Sequence, residues 1–165
     1  MGFLPDPLHP AIVHFPIALV IVALVLEVVA RRARWRALEP AAATLVVLGA
    51  LGAIAAVLSG LVARDEAVVP QGALELIERH EELGELAMWA LVAVAGLRLL
   101  LAWRRAFAGI LAWAYILVAL GAVALVSYNG HLGGQLVFRH GIGTAPVQRG
   151  TVAVPQPSTN LPPRS

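Results

Sequence analysis

Four apolar runs, each flanked by charged residues, divide the chain at about 12–30, 40–63, 83–103 and 107–128. About twenty apolar residues cross a hydrocarbon core of roughly 30 Å, so each run predicts a membrane-spanning helix. Pro10 and Pro16 fall in the first turns of the first span and Pro40 at the first position of the second, where a missing N–H costs little. In the second span Gly52, Ala56 and Gly60 recur at i, i+4 and i+8, a smooth face that a neighbouring helix can approach closely. A polar connection, 64–82, holds a Pro70-Gln71-Gly72 turn and an acidic helical segment, 73–82, that can run on into the third span. The very short link after Arg104-Arg105 makes spans three and four antiparallel neighbours. Residues 129–143 are too glycine-rich for a stable helix throughout. The last stretch, 144–165, carries five prolines and reads as an extended or disordered arm. The expectation is an all-α integral membrane protein, an antiparallel bundle of four transmembrane helices within residues 1–143.

Composition agrees: of 165 residues 59% are hydrophobic and 13% charged, with a mean hydropathy of +0.81, outside the range of a soluble domain. The formal charge of +2 comes from twelve arginines and no lysine, most of them beside apolar runs. That is a topology signal, so nucleic acid is not an expected partner. Arg31, Arg32, Arg34, Arg36, Arg98, Arg104 and Arg105 share one face, against Arg64, Arg79 and Arg139 on the other. The positive-inside rule then places both termini and the acidic connection on the periplasmic side of a bacterial inner membrane. No cationic stretch precedes the first apolar run, so the first helix is expected to be retained. With no cysteine, thiolate metal sites, iron–sulfur clusters and covalent haem attachment are excluded.

On this topology all five histidines fall at the outer face. His9 and His14 stand at the start of span one, His80 at the start of span three, and His131 and His140 beyond span four. Two neutral imidazoles from facing helices are what a b-type haem needs, with glycines leaving room for a flat ring. Gly84, one turn after His80, and Gly130, Gly133 and Gly134 around His131 are the candidates. Glu78, Glu81, Glu82 and Glu85 beside His80 would suit zinc or copper, or simply favour the positive end of a helix dipole. The histidines are equally open to a plain role bonding water or helix ends. Glu27 and Arg98 lie near the inner ends of their spans, able to pair or to reach the interface singly. There is no glycine-rich phosphate loop, and Ser59 and Ser127 have no evident base beside them, so hydrolysis is not expected.

Leu8-His9-Pro10-x-x-Val13-His14-Phe15-Pro16, His80-x-x-x-Gly84, and Gly130-His131-x-Gly133-Gly134-x-Leu136-Val137-Phe138-x-His140-Gly141 together resemble the uncharacterised bacterial family catalogued as domain of unknown function 2231. The resemblance covers about residues 8–143 and implies a four-helix membrane protein with an electron-transfer or metal-linked role. The family's motif histidines fall on His9, His14, His80, His131 and His140, while the proline-rich arm lies outside the pattern. The leading expectation is a membrane b-type cytochrome subunit binding one haem b or two through His14, His80, His131 and His140. His9 would orient a neighbour or bond a propionate. A cofactor-free accessory subunit that packs against a larger membrane complex is the alternative, and a copper or zinc ion held by His9, His14, His80, His131 and His140 a third. Expected partners are the lipid bilayer and a larger membrane redox complex or a periplasmic electron carrier, in a chain that transfers electrons or assists a complex rather than acting as a stand-alone enzyme.

Overall fold

A computed structural model describes residues 9–66, 69–70 and 72–142, and every regular element among them is helical. The arm at 144–165 lies outside the described residues. Where hydrocarbon offers no hydrogen-bond partner the backbone must satisfy itself, and four helices here are long and apolar enough to cross a membrane.

The first span is two pieces, α1 (His9–Ile12) and α2 (His14–Arg32). Pro16 explains the break: it lacks an N–H and its ring crowds the carbonyl of Ile12, where α1 stops. The disturbance is local, since Val13 keeps helical torsions (φ −62°, ψ −24°) and its N–H reaches the His9 carbonyl at 3.1 Å. After a short 3-10 turn, α3 runs over Glu39–Glu66, and α4 over Leu74–Trp103. The acidic segment and the third span are therefore one helix. The last helix, α5 (Gly109–His140), corrects the reading of 129–143 as unable to stay helical. Each internal glycine costs up to about 1 kcal/mol of propensity in water, but tertiary packing offsets it. Leu132 and Leu136 are buried, and Gly130 lets Ile17 pack directly on the α5 backbone, its Cδ1 standing 3.1 Å from where a Cβ would be. Gly141 then stops the helix in the left-handed conformation (φ 68°), its N–H donating to the Val137 carbonyl at 3.0 Å.

The helices close a ring in which α2 packs on α3, α3 on α4, α4 on α5 and α5 on α2. The glycine face of α3 receives the first span, as the spacing implies. A Cβ at Gly49 would lie 2.5 Å from Val20 Cγ1, and one at Gly52 3.3 Å from Pro16 Cδ. Small side chains such as Ala23, Ala112 and Ala119 fill the interior, while Val25, Leu51, Ile110 and Leu117 point outwards. That distribution suits a hydrocarbon solvent, with backbones close and bulk on the outside.

The core also holds a charge pair. Glu27 of α2 is 0% exposed and Arg98 of α4 3%, and Arg98 Nε donates to Glu27 Oε1 at 2.6 Å across the ring. Arg98 Nη2 donates to the Glu39 carbonyl at 3.1 Å, and the guanidinium stacks 3.7 Å over the Phe107 ring. Of the two options open for these residues, the structure takes pairing. Losing one member would strand the other in a medium that cannot solvate it, so Arg98→Ala should cost about 3–5 kcal/mol. Joint replacement by Glu27→Leu and Arg98→Leu should recover most of that, as measured by unfolding in detergent micelles.

Candidate functional site

At the opposite end of the bundle from that pair, four helices contribute to one polar layer. His9 comes from α1, Ser59 and Gly60 from α3, His80 from α4, and Asn129 and Gly133 from α5. His9 and His80 stand with ring centroids 6.3 Å apart and planes inclined at 76°. Each ring rests on a glycine of another helix. A Cβ at Gly60 would lie 3.1 Å from His9 Cε1, and one at Gly133 3.1 Å from His80 Cε1.

Their partners fix the proton on each ring. His80 Nδ1 lies 3.2 Å from the Asn129 carbonyl, which can only accept, so Nδ1 carries the hydrogen. Ser59 donates its hydroxyl to the Ala56 carbonyl at 2.9 Å, which leaves its oxygen to accept from His9 Nδ1 at 3.0 Å. In the neutral imidazole both Nε2 atoms then keep a lone pair. An Nδ1–H held by a backbone or side-chain oxygen, with Nε2 free, is the state in which histidine serves as a metal ligand. The same bonds argue against a Ser–His nucleophile, because the Ser59 proton faces a carbonyl and not the imidazole.

The remaining histidines stand apart from this pair. His14 is exposed and donates from Nδ1 to the Pro10 carbonyl at 2.6 Å, closing the turn that Pro16 disturbs. His131 is exposed and bonds Gln135 Nε2 at 2.8 Å, one turn along α5. His140 sits half-buried in the last turn of α5. Among the described residues no group of three or more His, Cys, Asp or Glu side chains is placed to hold a metal ion, and Glu81 instead pairs with Arg64. The glycines also divide differently from the spacing argument. Gly84 makes room for the Asn129 side chain and not for a ring beside His80, Gly133 seats His80 and not His131, and Gly134 has no neighbour within 4 Å of an added Cβ. Ser59 and Asn129, which nothing in their own sequence surroundings marks, prove to orient the two imidazoles.

A ring of four helices, each long and apolar enough to cross a membrane, defines a membrane-helical bundle. The chain belongs to the family described as predicted membrane protein (DUF2231), whose pattern matches residues 5–146. No curated protein and no solved structure matches the chain.

The glycine seats make a stability prediction. Gly133→Ala forces His80 to move and should destabilise the protein by about 1–3 kcal/mol. Gly134→Ala, one residue on, meets open space and should be neutral or stabilising by up to about 1 kcal/mol. Thermal unfolding of both variants in the same detergent compares them directly.

Proposed function

We propose that the protein is a small redox subunit of the bacterial inner membrane, in which His9 and His80 supply the axial ligands of a haem b iron near the periplasmic face. The observation that carries this reading is the pair of imidazoles with ring centroids 6.3 Å apart, each held by an oxygen at Nδ1. A b-type haem asks the protein for two such donors and no others, whereas a structural zinc site asks for four. The donor set therefore fits, with His9 and His80 favoured over His14, His131 and His140. A bound haem iron would supply one-electron transfer between two oxidation states. The chain's own part is to hold the ring orientations and tautomers through Ser59 and the Asn129 carbonyl, and to keep the layer among packed helices.

The topology in this reading is an antiparallel up-and-down bundle with both ends periplasmic. It rests on seven arginines near one end of the bundle against three at the histidine end. Electrons would pass to a periplasmic carrier or to a larger membrane complex. A single copper ion is the second reading, favoured by how near the rings already are. Two imidazoles bound to one ion at about 2.0–2.1 Å each have centroids roughly 6 Å apart, against the 6.3 Å observed.

Absorption spectroscopy of protein purified after haem-replete expression tests the reading, alongside elemental analysis for copper. The expected result is a Soret band with reduced α and β bands, lost in His9→Ala and in His80→Ala and kept in His14→Ala and His131→Ala. Copper bound without haem, and lost in the same two variants, selects the second reading. Neither haem nor copper in the folded wild-type protein overturns both and leaves a cofactor-free subunit. Ser59→Ala keeps both ligands but frees the His9 ring, and should weaken binding by about 10–100-fold.

A further inference from the structure

The buried charge pair is incompletely satisfied. Glu27 Oε1 accepts from Arg98, but Oε2 is buried with no hydrogen-bond partner, and so is the hydroxyl of Tyr115, a residue only 1% exposed. Phe107 stacks edge-on against the Tyr115 ring at 5.3 Å and lies under the Arg98 guanidinium, so the aromatic pair is held in place. Glu27 Oε2 and the Tyr115 hydroxyl need partners of complementary kinds, since a carboxylate oxygen only accepts while a phenol can donate and accept.

Glu27 and Tyr115 line the same internal cavity, whose remaining wall is apolar and includes Val20, Leu24, Val46 and Leu91. It has about 10 Å³ of room for the centre of a water molecule. About 10–15 Å³ measured in this way is what one water occupies, and a buried water needs two or more polar partners. The ligand must be small and able to donate to a carboxylate. It need bring no charge, because Arg98 already neutralises Glu27.

We propose that Glu27 and Tyr115 form a binding site for a single water molecule in the centre of the bundle. The water donates to Glu27 Oε2 and accepts from the Tyr115 hydroxyl. Three helices thereby share one hydrogen-bonded unit, α4 through Arg98, α2 through Glu27 and α5 through Tyr115. The site is independent of the histidine layer and stands whether or not a metal binds there.

Radiolytic hydroxyl-radical labelling of the intact protein in lipid nanodiscs tests this, because radicals form from water and a buried side chain is oxidised only where water sits beside it. Tyr115 should be oxidised despite its burial. After rapid mixing into ¹⁸O-water, its label should retain ¹⁶O several-fold longer than the label on the exposed Tyr128. In Tyr115→Phe, which removes one of the two polar partners, oxidation of the neighbouring Leu91 should fall several-fold. Tyr115 remaining unmodified at doses that label Tyr128 would overturn the site, and undiminished Leu91 labelling in a folded Tyr115→Phe would overturn the bridging role. If that variant does not fold, the wild-type labelling decides alone.

Discussion

A polar atom inside hydrocarbon has no solvent to fall back on, and this single constraint accounts for how the bundle is tied together. Helices answer it for the backbone. For side chains the answer is contact across the ring. Adjacent helices touch along their lengths, whereas α2 and α4, which face each other diagonally, do not approach closely by backbone. Long polar side chains cross that diagonal twice. Glu27 meets Arg98 near one end, and at the other the first span meets α4 again through His9 and His80. The interior between them is mostly alanine and valine, packed closely enough to hold the helices but chemically unable to choose among registers. The two diagonal pairs are therefore the parts of the core that distinguish one arrangement of these helices from its slipped alternatives.

The two pairs differ in what they can do. Glu27 and Arg98 neutralise each other and are enclosed, an arrangement suited to holding helices together. His9 and His80 each bind the protein through Nδ1 and leave Nε2 over. Half of each imidazole's hydrogen-bonding capacity is thus spent on orientation and half is kept. Each ring is also seated on a glycine of a further helix, His9 on Gly60 of α3 and His80 on Gly133 of α5.

What the sequence made legible follows from the range of the forces involved. Twenty-residue apolar runs and prolines at helix starts are local signals, and four helices long and apolar enough to cross a membrane are found among the described residues. The small-residue face of α3 was legible for the same reason, because i, i+4 spacing is a property of one helix. The helical state of 129–140 was not, since the glycine count argues against helix until Ile17 and His80 are known to pack on Gly130 and Gly133. The meeting of His9 with His80 was illegible for the same reason. Ser59 is 50 residues distant from His9 and the Asn129 carbonyl is 49 from His80, so neither orienting bond leaves a trace in the local pattern. Convergence of the histidine-bearing ends was foreseeable from topology, but which rings meet is decided by side-chain geometry at helix ends.

The central claim is that His9 and His80 are both held as Nδ1–H imidazoles with Nε2 unprotonated. Nitrogen-15 NMR of histidine-labelled protein in micelles, without added metal, reads this directly, because protonated and unprotonated ring nitrogens resonate far apart. His9 and His80, each assigned by the loss of its signals in the alanine variant, should show a protonated Nδ1 and a bare Nε2 at neutral pH. Finding the Nε2–H tautomer or an imidazolium at either residue would contradict it.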